Sequence, residues 1–486
     1  MLDDLHWREE CGVVGIAGVG GAAELAAMAL HALQHRGQES AGITVSDGRL
    51  IHTHKEMGMV AKVFKEATVK AMPGHYAIGH VRYSTSGSSN LVNAQPIQVA
   101  SHRGAVSLAH NGNLVNAPQL RRAMEQDGSI FSTTSDSEVI LHLMARSKAP
   151  TVADALQEIL PQVRGAYSLV VLSGDTLIAA RDPLGFRPLC LGRFQDSYVV
   201  ASESCAFDII GARYLRDVEP GEMLLLGKGE LESRRIAESD RECRCVFEHV
   251  YFSRPDSQIF GTSVERARRR SGEILGREAP VPADLVTAVP DSSNTAALGY
   301  ARATGIPFEL ALIRNHYIGR TFISPAQQVR DMSVRIKFNP VREVLAGKRV
   351  VVVDDSIVRG TTMRKLVKLL RQAGAEEVHL RIASPPVANP CFYGIDTPVR
   401  KELIGSSHTV DEIATYLRVD SLHYLSLDGL LEATGEADRY CTACFSGDYP
   451  VPFDVEQDKA VFDRHAEGAE LILKPRAGSP QDKPEA

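Results

Sequence analysis

The chain lacks the segments that would direct it into or through a membrane. None of its apolar runs approaches the roughly 20 residues that a transmembrane helix needs. The first ten residues, MLDDLHWREE, contain four acids and no apolar core, which excludes a secretory signal. Without a targeting segment, we expect a cytoplasmic protein with no membrane partner.

Blocks of basic residues are also missing. The 54 Lys and Arg residues are outnumbered by 60 Asp and Glu residues, which gives a net charge of −6. Because nucleic-acid binding depends on clustered positive charge, we expect no nucleic-acid partner. Tryptophan is nearly absent as well, since Trp7 is its single copy.

The 486 residues that are present indicate a globular chain with more than one domain. Residues 11–225 are rich in strand patterns with helical stretches between them, which predicts stacked, largely antiparallel sheets with helices outside. A polar stretch near residues 226–245 favours a boundary. After it, short apolar runs alternate with helical patterns, which predicts a parallel sheet covered by helices. KPRAGSPQDKPEA at the end is typical of a disordered tail.

The segment KRVVVVDDSIVRGTT, from Lys348 to Thr362, is the most informative stretch of the second half. A continuous apolar strand ends at Asp354 and Asp355, at the sheet edge where open α/β folds bind ligands. The turn that follows combines glycine, threonine hydroxyls and a helix N-terminus, which together can hold an anion. Paired carboxylates beside such a cradle suit a sugar with vicinal hydroxyls and Mg²⁺. An ordinary Asp-capped helix start is the alternative.

This segment resembles the signature of the type I phosphoribosyltransferases. The resemblance implies that Asp354 and Asp355 contact the ribose hydroxyls and one Mg²⁺ per subunit in bound phosphoribosyl pyrophosphate (PRPP). It also implies that the loop holding the 5-phosphate consists of Arg359, Gly360, Thr361 and Thr362.

Two further stretches fit the same site. In AVPDSSNTAALGYA, Ser292 follows a second strand, and by position it resembles a metal ligand in the family's pyrophosphate loop; a plain helix N-cap is the alternative. The long stretch IRNHYIGRTFISPAQQVRDMSVRIKFNP favours a lid that closes over PRPP, although a solvated loop remains open. Its basic residues are Arg314, His316, Arg320, Arg330, Arg335 and Lys337.

Polar residues in the first half could together hydrolyse an amide. A thiol at a new chain terminus needs no histidine, because the α-amine, with a pKa near ~8, can serve as its base. Loss of residues 1–10 would place Cys11 there. Asn111 and Gly112 can stabilise an oxyanion, while Arg82 and Asp136 can bind the charged ends of an amino acid. Taken one at a time, Cys11 is typical of a core thiol, Asn111 with Gly112 of a turn, and Arg82 and Asp136 of surface charges.

The stretches CGVVGIAG, LQHRGQESAG, GHVRYSTSG, AHNGNL and TTSDSEV resemble, in this order, the class II (Ntn-type) glutamine amidotransferase domains. The resemblance implies a four-layer αββα sandwich with Cys11 as nucleophile and Asn111 with Gly112 as oxyanion hole. Arg36 would orient the nucleophile within the substrate site. The residues implied to bind glutamine are Arg82, Tyr83, Thr85 and Asp136.

Cysteines in the second half form a separate pattern. Cys441-Thr-Ala-Cys444 alone could bind zinc, perform redox chemistry or do neither. Cys245 and Cys391 lie far away in sequence, and four thiolates from three segments suit an iron–sulfur cluster. One branch of the amidophosphoribosyltransferases has this arrangement, and the resemblance implies a structural [4Fe–4S] cluster on these four residues, with Cys245 chosen over Cys243. Cys190 and Cys205 are predicted to be core thiols.

The order of motifs along the whole chain resembles that of the amidophosphoribosyltransferase family, whose members catalyse the first committed step of de novo purine synthesis. We therefore predict a leader at 1–10 that is cleaved, a glutaminase domain at 11–235, a phosphoribosyltransferase domain at 236–455 and an extension at 456–486. The resemblance implies glutamine and PRPP as substrates, ammonia passing between two sites, purine nucleotides as feedback inhibitors and a homo-oligomer, tetramer or dimer. The alternatives are another class II amidotransferase and a non-catalytic iron–sulfur regulator that binds nucleotides.

Overall fold

A computed structural model describes residues 11–83, 89–315, 337–397 and 399–453. Across these ranges no helix is both long and apolar enough to cross a bilayer. The predicted leader and the whole of the predicted C-terminal extension lie outside the described residues, as do Thr85 and residues 316–336 of the predicted lid.

The first half contains two sheets whose paired strands are all antiparallel. One has the order β11-β9-β10-β1-β4-β2-β3 and the other β13-β12-β8-β7-β6-β5. The strands are β1 (Gly12–Ile16), β2 (Ser40–Ser46), β3 (Ile51–Met57), β4 (Tyr76–Arg82), β5 (Ile97–Ser101), β6 (Gly104–Leu114), β7 (Gly165–Ser173), β8 (Thr176–Arg181), β9 (Cys190–Phe194), β10 (Ser197–Ala201), β11 (Arg213–Asp217), β12 (Glu222–Leu226) and β13 (Leu231–Arg235).

Helices cover the outer faces of these sheets, so the order of layers is αββα. Strand β1 shows why, because Val13 packs between the sheets while its neighbour Val14 packs among the residues of the first helix. Residues on the helix side of the second sheet form another apolar cluster. The helices are α1 (Ala22–Ala32), α2 (Val60–Val63), α3 (Glu66–Lys70), α4 (Ala117–Gln126), α5 (Glu138–Arg146), α6 (Val152–Ile159) and α7 (Cys205–Ile210).

The second half is built on a four-stranded parallel sheet of order β17-β20-β21-β22. Val351 and Val353 face one apolar cluster, while Val350 and Val352 face another, because both sides of the sheet are covered. The strands are β14 (Arg244–Cys245), β15 (Gln258–Ile259), β16 (Thr262–Ser263), β17 (Leu285–Ala288), β18 (Leu312–Arg314), β19 (Phe338–Pro340), β20 (Arg349–Asp354), β21 (Glu377–Ile382), β22 (Ser421–Tyr424) and β23 (Tyr440–Cys441).

The described helices of this half pack on the sheet or extend its edges. They are α8 (Val264–Glu278), α9 (Asn294–Thr304), α10 (Arg342–Leu345), α11 (Thr361–Gln372), α12 (Val410–Leu417), α13 (Leu427–Thr434) and α14 (Ala443–Ser446). The two predicted fold classes are therefore confirmed. The halves also share a core, since Val115, Ala166 and Phe186 of the first half pack within the apolar cluster of the second.

Candidate active sites

The nucleophile candidate lies at the entrance to the central strand of the first sheet. Cys11 directly precedes β1, whose first residue pairs with Val81 of β4, so the thiol sits beside the end of β4. Its Sγ donates to the Tyr83 carbonyl oxygen at 3.4 Å. Burial raises the pKa of the Cys11 thiol to about 11. The thiol is therefore protonated at neutral pH, and attack requires a base.

Arg36 reaches the same residue from the turn after α1. Its Nε donates to the Cys11 carbonyl oxygen at 3.0 Å, so this guanidinium fixes the backbone that carries the thiol. Arg82 and Asp136 both act electrostatically on the Cys11 thiol. The structure thus brings together Cys11, Arg36, Arg82, Tyr83 and Asp136, as the sequence predicts.

The oxyanion candidates lie on β6. Gly112 has a φ of 149°, and a Cβ there would lie 2.0 Å from the Ala166 carbonyl oxygen, so only glycine fits. Asn111 is 1% exposed, and neither polar atom of its side chain has a hydrogen-bond partner among the described residues. A buried amide without partners is costly in a folded protein. It is an arrangement ready for a ligand oxygen.

Asp136 is held beside this strand. Its Oδ2 accepts from the Leu114 backbone N–H at 2.8 Å, and its Oδ1 accepts from the Ser137 hydroxyl at 3.3 Å. His110 lies behind, with Nδ1 2.9 Å from the same hydroxyl. The carboxylate is 5% exposed, so it can offer a charge-assisted hydrogen bond in a partly dry site.

The second site forms where β17 and β20 end, with Ala288 paired to Val353. Asp354 and Asp355 are both buried, and hydroxyls converge on them from the turn before α9. Ser292 Oγ donates to Asp355 at 2.6 Å, and Ser293 Oγ donates to Asp354 at 2.9 Å. Burial raises the pKa of both carboxyls, and the Asp355 charge raises that of Asp354 further.

These carboxylates fit a cation, because two buried acids side by side repel one another until positive charge arrives. The predicted phosphate loop follows them. Gly360 has a φ of 74° directly before α11, and Thr361 and Thr362 open that helix. Arg359 forms an ion pair with Glu402. Ser293 lies beside Ser292 in the Asp-Ser-Ser run before α9, where the sequence favours contact with pyrophosphate or metal, and both hydroxyls reach the two carboxylates.

The four cysteines predicted to hold a cluster also converge. Strands β14 and β23 pair in parallel and place Cys245 opposite Cys441. Cys245, Cys391 and Cys444 lie in one apolar cluster with Cys441 packed against it. Burial raises the pKa of the Cys444 thiol, and the charges of the other three raise it further. Their burial and mutual repulsion as thiolates fit a cationic cluster.

A single metal ion is a different matter. Within the described ranges, no group of three or more His, Cys, Asp or Glu side chains is arranged to hold one. Cys190 and Cys205 are buried in apolar surroundings away from these four.

Comparisons with known proteins agree with this geometry. A glutamine amidotransferase domain family matches residues 80–208, and a phosphoribosyl transferase domain family matches residues 273–383. The amidophosphoribosyltransferase of Bacillus subtilis (strain 168) is 50% identical over 459 residues, 93% of this chain and 96% of the relative. That of Archaeoglobus fulgidus is 51% identical, covering 92% of this chain and 99% of the relative. The chloroplastic amidophosphoribosyltransferase 1 of Arabidopsis thaliana is 53% identical, covering 92% and 80%.

Two solved structures superpose on most of the chain. The structure of "the allosteric regulatory enzyme of purine biosynthesis" gives a TM-score of 0.89 at 50% identity, covering 92% of this chain and 98% of the other. The glutamine PRPP amidotransferase from B. subtilis, complexed with ADP and GMP, gives a TM-score of 0.88 at 49% identity, covering 92% and 99%.

Proposed function

Because the chain belongs to the amidophosphoribosyltransferase family of purine biosynthesis, we propose how its own residues divide that reaction between two sites. The enzyme converts PRPP, glutamine and water into 5-phosphoribosylamine, glutamate and pyrophosphate. The alternative of another class II amidotransferase is wrong, since the relatives share this activity over most of both chains. A non-catalytic regulator is excluded in the same way.

The first site releases ammonia. Removal of residues 1–10 gives Cys11 a free α-amine, which takes the proton of its high-pKa thiol. Sγ then bonds to the amide carbon, the α-ammonium returns its proton to the leaving nitrogen, and the C–N bond breaks to release ammonia. Water then hydrolyses the thioester to glutamate. Arg82, Tyr83, Thr85 and Asp136 bind the amino acid, and Asn111 with the Gly112 N–H stabilises the oxyanion.

The second site uses the ammonia. Asp354 and Asp355 hold the ribose, while Arg359, Gly360, Thr361 and Thr362 hold the 5-phosphate. Ammonia attacks C1 and pyrophosphate departs, so no protein nucleophile is needed. Asp354, Asp355 and Ser292 would hold Mg²⁺, which when bound supplies positive charge beside the pyrophosphate. Passage of ammonia between the sites must exclude water, because protonation would end its nucleophilicity.

The remaining assignments belong to the same proposal. Cys245, Cys391, Cys441 and Cys444 would hold a [4Fe–4S] cluster, which when bound ties three segments of the second half together. Purine nucleotides act as feedback inhibitors, which the ADP and GMP complex of the B. subtilis relative supports. The chain forms a homo-oligomer, a tetramer or dimer. The cytoplasm is the proposed compartment, although the plant relatives are named chloroplastic.

The unpartnered amide of Asn111 is the observation that carries this function. Asn111→Ala should lower glutaminase kcat by about 100- to 1,000-fold, the usual loss for one oxyanion donor. The glutamine KM should change little. Because the amide makes no hydrogen bond to any residue that the structure describes, the thermal midpoint should not fall through lost bonding.

Asn116→Ala is the matched control, since Asn116 is a neighbouring asparagine whose Nδ2 donates to the Gln162 carbonyl oxygen. It should retain glutaminase activity. A normal glutaminase kcat in Asn111→Ala, or an equal loss in both variants, would contradict the oxyanion assignment.

A further inference from the structure

Four charged side chains are buried together where the two halves of the chain meet. Arg36, Arg187, Glu203 and Glu248 are each at most 1% exposed, and we call them the buried ion cluster. Burying charge is costly unless each group is paired and hydrogen-bonded. Of the four, only Arg36 has a role described above, as the donor to the Cys11 carbonyl oxygen, so the other three need an explanation.

Glu248 makes the largest set of contacts to Arg36. Its Oε2 accepts from Arg36 Nη1 at 2.9 Å and its Oε1 accepts from Arg36 Nη2 at 2.8 Å, which makes a bidentate ion pair. Arg187 NH1 donates to the same Oε1 at 3.3 Å, and Ser253 Oγ donates to Oε2 at 2.7 Å. Such a fork fixes the plane of a guanidinium.

The fixed plane determines where the Nε–H of Arg36 points. The Nε–H lies in the guanidinium plane, whose orientation Glu248 fixes, and it donates to the Cys11 carbonyl oxygen at 3.0 Å. Glu203 also contacts Arg36, but its hydrogen bond comes from a single guanidinium nitrogen, Nη1, at 2.6 Å. Only the Arg36 side chain therefore lies between Glu248 and the backbone of Cys11.

Glu248 comes from the other half of the chain. It begins the π-helical turn Glu248–Phe252, which follows β14. Arg268 of α8 holds that turn through its Nε to the His249 carbonyl oxygen at 2.7 Å and its NH2 to the Ser253 carbonyl oxygen at 2.8 Å. Arg187 joins a second segment, since its Nε donates to the Tyr393 carbonyl oxygen at 2.9 Å. The transferase half thus reaches across to the glutaminase site.

We propose that Glu248, which the transferase half contributes, is a positioning residue for glutamine hydrolysis. It orients Cys11 by holding the Arg36 guanidinium in place. This inference rests on the proposed function of Cys11 as nucleophile. A small misplacement of a nucleophile can cost about 100-fold in rate. Glu248 touches no substrate, so its loss should slow the chemical step and leave binding of glutamine intact.

The test is Glu248→Gln, which keeps the shape and removes the charge. Glutaminase kcat should fall by about 10- to 100-fold while the glutamine KM changes by less than about twofold. Synthesis from free ammonia should keep its rate, because PRPP binds elsewhere. An unchanged glutaminase kcat, or an equal loss of the ammonia reaction, would overturn the inference.

Glu222→Gln is the matched control. Glu222 also forms a two-pronged pair, with Arg216 at 2.7 and 2.8 Å, and accepts from the Ser233 hydroxyl at 2.7 Å, but it joins β12 to β11. Glutaminase should be unaffected in this variant. A loss equal to that of Glu248→Gln would mean that breaking any bidentate Arg–Glu pair lowers the rate, and would overturn the inference.

A double variant separates positioning from general structure. Because Glu248 acts through Arg36, Arg36→Lys and Glu248→Gln together should be no slower than Arg36→Lys alone. Multiplied losses would contradict the inference. If Glu248→Gln does not fold, Ser253→Ala removes one donor to Glu248 and should show a smaller kcat loss with the same unchanged KM; an unchanged kcat there would count against it.

The two hypotheses can fail separately. Glutaminase activity that survives Cys11→Ala would overturn the proposed function itself. Full activity of Glu248→Gln beside an inactive Cys11→Ala would overturn only the positioning role.

Discussion

The two sites bury carboxylates of opposite electrostatic character. Beside Cys11, burial alone would raise the pKa of Glu203, yet the charges of His35 and Arg36 bring it down to about 2. At the PRPP site, burial raises the pKa of Asp354 and Asp355, and the pair repel each other. The buried negative charge near the glutaminase site is thus neutralised by the protein's own cations. The negative charge at the transferase site is instead neutralised by the cation that it would bind.

This difference explains what each half contributes to catalysis. A pre-neutralised site can hold a covalent nucleophile in fixed geometry before substrate arrives. A site with excess negative charge gains its order from a cation and a phosphorylated substrate. Substitutions at the two sites should therefore fail in different ways.

Asp354→Asn should have the largest effect among the tests of this contrast. Both the glutamine-dependent and the ammonia-dependent synthesis should lose about 100-fold in kcat/KM for PRPP, because a charge-assisted hydrogen bond contributes about 1.5–3 kcal/mol. The thermal midpoint of the unliganded protein should not fall, since the change removes a repulsion. Steady-state assays with each nitrogen donor and a melting curve check this. Loss of one route alone would contradict a shared PRPP site.

Arg82→Lys should have a more selective effect. Lysine cannot fork onto the α-carboxylate of glutamine, so the glutamine KM should rise about tenfold. Synthesis from ammonia should be unchanged, and this reaction is the internal control. A glutamine KM equal to that of the parent enzyme would show that Arg82 does not bind the substrate.

Glu203→Gln should give the clearest pH signature. A depressed carboxyl pKa stabilises the fold above the unfolded value near 4.5, and this stability is lost as pH falls toward 2. The difference corresponds to at most about 3 kcal/mol. Urea unfolding between pH 7 and pH 3 should be less pH-dependent in Glu203→Gln, while the exposed Glu238→Gln should follow the parent. An identical slope in Glu203→Gln would remove the contrast between the two sites.

Much of both sites was predictable because local sequence encodes it. The strand Val350–Val353 predicts a buried parallel strand, and this strand is observed with Asp354 at its carboxyl end. Cys11, Arg82 and Asp136 carried a recognisable order of motifs, and the fold brings them together.

The buried ion cluster was not predictable in the same way. Glu203 and Glu248 lie in stretches whose local pattern indicates only strand ends and a helical turn. Glu203 pairs with Arg36 across 167 residues within the first half, and Glu248 pairs with it across 212 residues through the packing of the two halves. Long-range charge pairing has no local periodicity, so single-sequence reasoning has no signal for it.

The central claim is that one chain carries two chemically separate sites, with Cys11 serving only the first. The most direct measurement is product formation by purified Cys11→Ala with PRPP and either glutamine or free ammonia. The account predicts no synthesis from glutamine and near-normal synthesis from ammonia. Loss of both reactions in a folded protein, or retained synthesis from glutamine, would contradict it.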